Sequence, residues 1–186
     1  MKIEDLNNDI LHCTDCTLCT TRKNVVVFRG MSTPDILLIG EAPGAEEDEQ
    51  GIPFVGRSGQ LLDKVLLANN INNFAIINIL KCRPPGNRKP TQTEVNACSH
   101  WLEAQLLLLQ PKIIVLLGAT ALNYFFPGQR ITKSVQDTLY SSSTFEKDGM
   151  KFVAVFHPSY ILRGSVSVDE YIRSFGSIIN IMDGIK

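Results

Sequence analysis

Residues 35–40 read DILLIG, an apolar run that ends directly before Glu41. Three further apolar runs have the same form and lead into a polar residue or a turn of small residues: FAII (74–77) before Asn78, KIIVLLG (112–118) before Ala119, and FVAVF (152–156) before His157. Short β-branched runs separated by helical patterns predict a parallel sheet with crossover helices. The carboxyl ends of such strands line one crevice where ligands bind. We therefore expect Glu41, Asn78 and His157 to face one pocket.

The intervals between these runs show helix-start signals and helical periodicity. Ser58 is expected to cap one helix, and the pairs Thr91–Glu94 and Ser167–Glu170 match a capping box. Apolar residues then recur at helical spacing. The expected inward faces are Leu61, Leu62, Val65 and Leu66; Val95, Cys98, Leu102 and Leu106; and Val168, Tyr171, Ile172, Phe175, Ile179 and Met182. This pattern predicts a three-layer α/β/α sandwich.

Two shorter helices and one turn complete this outline. Residues 3–12 and the stretch ATALNYFF (119–126) are expected to be short helices. The stretch YSSSTFEKDG (140–149) is expected to be a surface turn between short strands. The chain has 186 residues, of which 44% are apolar, and one domain spanning 1–186 is expected.

Charge is nearly balanced, with a formal net charge of −1. This balance argues against a protein that coats nucleic acid nonspecifically, but it permits a local basic face. Such a face is predicted at Lys81, Arg83, Arg88 and Lys89, while acidic residues dominate 41–49. Solvated loops are the alternative interpretation of both charge runs.

No apolar stretch approaches the length of a membrane span, and the first ten residues lack the apolar core of a secretory signal. We therefore expect no membrane association and a cytoplasmic location. Five cysteines in a reducing compartment favour metal or cluster ligation over disulfides.

The cysteines are grouped as CTDCTLC (13–19), with Cys82 in a proline-rich loop and Cys98 on the helix that follows. Four thiolates suit a tetrahedral zinc or a [4Fe–4S] cluster, and their spacing alone does not separate the two. The CxxCxxC run also matches part of a ferredoxin pattern, which would include Cys19. Cys98 is alternatively an ordinary buried cysteine, and His12 is an alternative ligand or an exposed side chain.

Three long segments, taken together, resemble one known family. They are GEAPGAEEDEQGIPFVGRSGQLLD (40–63), INILKCRPPGNRKPT (77–91) and FHPSYILR (156–163). In this order they closely resemble the family 4 uracil-DNA glycosylases of the uracil-DNA glycosylase superfamily. The resemblance extends from CTDC to HPSYILR, which is nearly the whole chain. It implies an α/β/α fold with a central four-stranded parallel sheet.

The resemblance also implies a cofactor. Family members carry a [4Fe–4S] cluster on four cysteines, and the matching positions here are Cys13, Cys16, Cys82 and Cys98. Cys19 matches no ligand position of that pattern. The implied activity is a DNA repair glycosylase that flips deoxyuridine out of DNA and hydrolyses the N-glycosidic bond. Uracil and an abasic site are the products, and the enzyme is expected to be a monofunctional monomer.

Roles in base recognition follow for the residues that match the family motifs. Phe54 is expected to stack on uracil, with core packing as its alternative role. Asn78 is expected to bind the Watson–Crick edge, because an amide offers both a donor and an acceptor. His157 is expected to donate to uracil O2, where negative charge grows as the glycosidic bond breaks.

Two carboxylates compete for the role of positioning water. Glu41 is the first candidate, since an ionised carboxylate can also offset positive charge on the sugar. Ala42 stands where other glycosylase classes commonly place an aspartate, and it is expected to line the uracil site. Glu47 is therefore a rival for the catalytic role, or else it shapes the pocket wall. Helix N-terminal placement is its third interpretation.

DNA contacts are expected from the loops around the pocket. Ser58 and the amides near Gly56 and Gly59 are predicted to hold a phosphate at a helix start. Ile161 or Leu162 would enter the space left by the flipped base, with Arg163 on the backbone. Arg83, Arg88 and Lys89 would add phosphate contacts, and the salt dependence of binding is expected to be modest.

Two other functions remain open alternatives. One is a related uracil-DNA-binding protein that traps its product covalently, although CRPPGNRKPT (82–91) contains no histidine to act as the nucleophile. The other is a noncatalytic iron–sulfur module that binds DNA. A purely electron-transferring protein would have no use for the pocket residues.

Overall fold

The computed structural model of the protein describes residues 1–131, 144–164 and 166–184. In these described ranges, six strands form one sheet in the order β1-β3-β2-β4-β6-β5. The strands are β1 (Arg29–Gly30), β2 (Ile36–Gly40), β3 (Phe74–Asn78), β4 (Ile113–Leu117), β5 (Phe145–Lys147) and β6 (Met150–Val155).

The four central strands are parallel, as predicted. β2 pairs with β3 and with β4, and β4 pairs with β6. The register places Gly40 beside Asn78 and Leu117 beside Val155, so these strands end at one edge. The short strands β1 and β5 add an antiparallel pairing at each side of the sheet, which the sequence patterns did not predict.

Helices cover both faces of the sheet. They are α1 (Ile3–Leu11), α2 (Ala45–Gln50), α3 (Arg57–Ala68), α4 (Gln92–Leu109), α5 (Ala119–Phe125), α6 (Pro158–Ile161) and α7 (Val168–Asp183), with 3₁₀ turns at Thr17–Thr20 and Pro85–Asn87. Within the described ranges, none of these helices combines the length and apolarity needed to cross a membrane.

Alternation along the strands divides the core in two. Leu37 and Ile39 pack with α1, α4 and α5, together with the residues of the neighbouring strands on the same face of the sheet. Ile36 and Leu38 pack on the other side with α3, α6 and α7. Because successive side chains of a strand point to opposite faces, each strand contributes to both layers. The predicted three-layer sandwich is confirmed.

Two local predictions were wrong. Gly56 is the N-cap of α3, and Ser58 is the second residue inside that helix rather than its cap. Val168 at the start of α7 is 43% exposed, whereas Ile178 and Ile181 complete the buried face with Tyr171. The inward face is thus offset toward the carboxyl end of the helix.

Other helix starts follow the prediction. Thr91 and Glu94 form a reciprocal capping box on α4, and the Ser167 side chain accepts the amide of Glu170 on α7. Residues 140–143 of the predicted surface turn lie outside the described residues. The remainder of that stretch forms β5 and a turn at 148–149 that leads into β6.

Candidate active site

A cavity of about 650 Å³ opens at the carboxyl edge of the parallel strands. Its lining combines strand ends with the loops that follow them: Glu41, Ala42, Pro43, Gly44, Glu47, Phe54, Ser58, Asn78, Pro84, Asn87, Arg88, Lys89, Leu117, Gly118, Ala119, Thr120, His157, Ser159 and Arg163. The prediction that Glu41, Asn78 and His157 face one pocket is confirmed. We call this cavity the base pocket.

The floor of the base pocket is the end of β2 beside the end of β3. Asn78 is 1% exposed, and its Oδ1 has no hydrogen-bond partner among the described residues. A Cβ atom on Gly40 would lie 2.4 Å from that oxygen and 2.8 Å from the Phe54 ring. Glycine at position 40 therefore leaves open the space between the amide and the ring. A buried acceptor without a partner is costly unless a ligand supplies the donor.

Phe54 forms an aromatic wall of the pocket. Its φ of 54° lies in the left-handed region, which is uncommon for an aromatic residue. The Phe54 carbonyl accepts a 2.8 Å bond from the Arg29 guanidinium, which also pairs with Asp63. A Cβ on Gly59 would lie 1.9 Å from the same carbonyl, so only glycine permits this approach. These contacts to the Phe54 backbone fix the position of the Phe54 ring.

His157 lies opposite Phe54, with ring centroids 5.7 Å apart and planes inclined by 39°. It is the N-cap of α6, and its Nδ1 accepts the Ser159 amide at 3.2 Å. Burial lowers the pKa of His157 to about 4, with a smaller contribution from the positive charge of Arg163. The imidazole is therefore neutral near pH 7. Because Nδ1 accepts a backbone N–H, the ring proton lies on Nε2, which is left as a donor.

Glu41 follows β2, and one of its carboxylate oxygens accepts a hydrogen bond from the Thr120 hydroxyl. Thr120 is the second residue of α5 and also lines the base pocket. Our sequence reasoning missed Thr120, although it lies just past the KIIVLLG strand at the same edge as the other pocket residues. The Thr120 hydroxyl restrains the carboxylate of Glu41, the first candidate for positioning water.

Glu47 is held differently from Glu41. One carboxylate oxygen accepts the Gly44 amide at 3.1 Å. The other accepts the amides of Val55 at 3.0 Å and Gly56 at 2.9 Å. These three bonds connect the turn after β2 to the loop that carries Phe54. Glu47 therefore stabilises the wall of the pocket through the backbone.

The loop after β6 exposes one apolar side chain beside the pocket. Leu162 is 41% exposed, whereas Ile161 is buried with the α3 and α7 core. Of the two predicted wedge residues, only Leu162 is therefore accessible. Arg163 lines the pocket and lies over the Tyr160 ring, 5.7 Å from its centroid. Ser58 lines the pocket from the first turn of α3.

The basic loop after β3 has its side chains in different environments. Lys89 lines the base pocket and is exposed. Arg88 forks onto Glu94 at 2.6 and 2.9 Å, and these bonds hold the pKa of Glu94 at about 2. Arg83 donates to Asn87 at 2.7 Å and is not among the described lining residues of the pocket.

Four of the five cysteines line a second, small cavity next to the base pocket. Cys13, Cys16, Cys82 and Cys98 share it with Asp15, Leu18, Arg22, Leu80, Lys81 and Ala97. We call it the cysteine cavity. Cys19 and the exposed His12 are not among its described lining residues. The structure therefore brings together the four cysteines implied by the family resemblance.

Donor groups surround the sulfur atoms in this cavity. The indole of Trp101 donates to Cys13 Sγ at 3.2 Å, and the Arg22 guanidinium donates to Cys82 Sγ at 3.2 Å. Burial raises the pKa of the Cys82 thiol to about 11 and also raises that of Cys98. A buried thiolate at these positions needs compensating positive charge, such as a bound metal centre supplies.

Among the described residues, no three His, Cys, Asp or Glu side chains are grouped closely enough to hold a single metal ion. A [4Fe–4S] cluster makes a different demand, since each thiolate binds a separate iron at a corner of a larger body. Four cysteines around one cavity, with N–H donors to two sulfurs, fit that donor set.

A further cavity of about 620 Å³ lies away from both sites, lined by residues at the end of α4, the end of α5 and the start of β6. Its lining includes Leu106, Leu107, Phe125 and Phe152, and its described residues include neither a histidine nor a cysteine. Volume alone does not distinguish it from the base pocket. We assign function to the base pocket because its amide, imidazole and carboxylate converge there.

Comparison with known proteins gives consistent matches. The family model for the uracil DNA glycosylase superfamily matches residues 28–175. The chain is 43% identical over 164 residues to the type-4 uracil-DNA glycosylase of Thermotoga maritima. The aligned residues make up 87% of this chain and 83% of the relative.

A second relative covers even more of the chain. The type-4 uracil-DNA glycosylase of Archaeoglobus fulgidus is 35% identical over 182 residues, or 95% of this chain and 91% of the relative. The type-5 uracil-DNA glycosylase of Thermus thermophilus is 30% identical over 149 residues, which are 70% of this chain and 68% of the relative. The chain belongs to the type-4 family of the uracil DNA glycosylase superfamily.

Proposed function

We propose that the protein is a monofunctional uracil-DNA glycosylase that acts in DNA repair, with residues 1–186 forming one catalytic domain. The observation that carries this proposal is the floor of the base pocket. There the buried Asn78 Oδ1 lacks a hydrogen-bond partner among the residues that the structure describes, and Gly40 leaves open the space above it. Such a pocket suits a planar base taken out of the DNA stack.

Base selection follows from the amide and the ring. Asn78 would accept the uracil N3–H through Oδ1 and donate to O4 through Nδ2. Cytosine presents the reverse donor and acceptor pattern, so it would leave both groups unpaired in a buried site. Phe54 would stack on the base, and Ala42 would line the uracil site.

His157 would supply the main electrostatic assistance to bond cleavage. As the N-glycosidic bond lengthens, negative charge develops on uracil O2. A neutral imidazole with its proton on Nε2 can donate to that oxygen without adding a buried charge beforehand. The depressed pKa and the Ser159 bond to Nδ1 support this protonation state.

Glu41 would position the attacking water and offset positive charge on the sugar. Thr120 restrains one oxygen of its carboxylate, which leaves the other oxygen for water. Glu47 is assigned to the pocket wall, because its two oxygens already accept three backbone amides. The water adds to C1′, its proton passes to Glu41, and uracil leaves with the bonding electron pair.

DNA would be held by the loops around the pocket mouth. Leu162, an exposed apolar side chain, would fill the space vacated by the flipped nucleotide. Arg163, Lys89, Arg83 and the first turn of α3 at Ser58 would contact phosphates. Arg88 would act mainly through its fork to Glu94, which stabilises the start of α4. Both single- and double-stranded uracil-containing DNA are proposed substrates.

Cys13, Cys16, Cys82 and Cys98 would hold a [4Fe–4S] cluster. When bound, the cluster supplies a cross-link between the N-terminal segment, the loop after β3 and helix α4. That cross-link would order the loop that carries Lys89 at the pocket mouth. A reducing cytoplasm suits free cysteine ligands, and we place the protein there as a monomer.

The test is single-turnover cleavage of a labelled uracil-containing oligonucleotide, followed by hot alkali. Strand scission together with free uracil is the expected result, and the same oligonucleotide with thymine is the control. An alkali-resistant protein–DNA band would instead indicate covalent trapping. No product and no adduct from cluster-loaded protein would leave only a DNA-binding module.

A further inference from the structure

Lys81 lines the cysteine cavity and contacts Asn78 at the floor of the base pocket. It is 1% exposed, and its Nζ donates to the backbone carbonyl of Asn78 at 2.6 Å. The same side chain lines the cysteine cavity together with Cys82 and Cys98. One buried cation thus contacts the residue that reads the base and faces the proposed cluster ligands.

A buried ammonium needs both hydrogen bonds and opposite charge. The Asn78 carbonyl supplies a hydrogen bond, but a neutral carbonyl leaves the charge uncompensated. Four thiolates around a [4Fe–4S] centre carry net negative charge, which would compensate it. Arg22, which donates to Cys82 Sγ, is a second cation on the same cavity. The placement of Lys81 is therefore favourable when the cysteine cavity is filled.

We propose that Lys81 is a positioning residue that fixes the base-reading end of β3 against the cluster. Its bond to the Asn78 carbonyl holds the main chain from which the Asn78 amide projects into the base pocket. Filling of the cysteine cavity thereby sets how well uracil is bound. This inference rests on the proposed function and gives the cluster a part in base recognition beyond cross-linking.

A lysine that merely filled space would behave differently from this positioning residue. Its loss would lower the melting temperature and shift the reduction potential of the cluster, but it would leave the affinity for free uracil unchanged. The positioning role requires both to change. The uracil affinity reports on Asn78, and the potential reports on the ammonium beside the thiolates, because removing a nearby positive charge disfavours the reduced, more negative cluster.

The experiment uses the cluster-loaded chain and its Lys81→Met variant, with Lys64→Met, an exposed lysine on α3, as the matched control. We expect the Kd of free uracil, measured by calorimetry, to rise about tenfold in Lys81→Met, as for loss of one charge-assisted hydrogen bond. The cluster midpoint potential should become more negative. The control should match the wild type in both measurements.

A Lys81→Met protein with wild-type uracil affinity would overturn the inference. If that variant fails to fold, Lys81→Gln replaces it, keeping a donor without the charge, and an unchanged midpoint potential would then overturn the inference. Uracil release from DNA by the wild-type chain is measured first. Failure of the proposed function would appear there, whereas failure of this inference would appear only in the variants.

Discussion

The base pocket and the cysteine cavity are linked by the bond from Lys81 to Asn78, but they present their polar groups in opposite ways. In the base pocket, Asn78 Oδ1 lacks a partner among the described residues, and His157 keeps a free donor at Nε2. In the cysteine cavity, two of the sulfurs already accept N–H donors from Trp101 and Arg22. The arrangement of the first site suits an exchanging ligand, and that of the second suits a resident cofactor.

This difference separates the expected effects of substitutions. Changes in the cysteine cavity should affect assembly and stability first and turnover as a consequence. Changes at the free polar groups of the base pocket should affect turnover while leaving the fold intact, because those groups contribute little to folding. Glu47 is the exception, because its carboxylate already accepts backbone amides. Five substitutions, two of them with a matched control, test that separation.

The largest effect is expected for Cys98→Ser. Serine is a poor ligand for iron, so iron content should fall to near zero, and the melting temperature should fall with it because metal-centre binding is coupled to folding. Cys19→Ser is the matched control, since Cys19 does not line the cavity. Retention of the brown absorbance by Cys98→Ser and its loss in Cys19→Ser would favour the ferredoxin-type run of ligands.

The two carboxylates of the base pocket should separate catalysis from stability. Glu41→Gln should lower single-turnover cleavage by roughly 10²–10⁴-fold, the usual size of a general acid–base contribution. Its melting temperature should stay near that of the wild type. Glu47→Gln should instead destabilise the protein by about 1–3 kcal/mol, because backbone amides lose a charged acceptor. The reverse pattern in the cleavage and melting assays would assign the water to Glu47.

His157 should make the free energy of unfolding of the protein pH-dependent. Its folded pKa of about 4 lies below the ordinary value of 6.5, so the unfolded chain binds the proton first as pH falls. The imidazole has no effect on stability above the unfolded pKa, and it destabilises the fold progressively as pH falls from the unfolded to the folded pKa. Lowering the pH from about 7.5 to about 5 should therefore cost about 2 kcal/mol, or roughly 4–8 °C in Tm.

The matched variant for this measurement is His157→Gln, which cannot titrate. Its melting temperature should fall less than that of the wild type over the same pH interval. Equal pH slopes for the two proteins would mean that His157 is as readily protonated in the folded chain as in the unfolded one.

The smallest effect is expected for Thr120→Val, which removes the hydroxyl from a side chain of the same shape. Cleavage should slow by about tenfold, the cost of one hydrogen bond to a charged group, with KM unchanged. Thr120→Ser keeps the hydroxyl and should restore most of the rate. A loss of activity in both variants would indicate packing at the start of α5 rather than orientation of Glu41.

Much of the base pocket was predictable because one geometric rule assembles it. Parallel strands end at one edge, so the residues that follow them meet regardless of their separation in sequence. Glu41, Asn78 and His157 were placed in this way. Thr120 was missed because it is the third residue after its strand and enters the site from inside a helix.

The cysteine cavity was less predictable from the residues themselves. Spacing grouped Cys13 and Cys16, but it left open the fourth ligand and the choice between zinc and a cluster. Cys82 and Cys98 reach the cavity only because the loop after β3 and helix α4 pack against the N-terminal segment. Such loop packing has no short-range sequence signal, so the family resemblance supplied the ligand set.

The sequence by itself determined the layer architecture, the parallel strands and the edge at which the polar residues gather, because periodicity and strand direction are local properties of the chain. Only the tertiary structure decided which polar groups are free and which are already bonded. It showed Glu47 bonded to three amides, Arg88 to Glu94, and Lys81 to the carbonyl of Asn78. Hydrogen-bond partners and burial depend on packing between distant segments, and these set the chemistry available to each side chain.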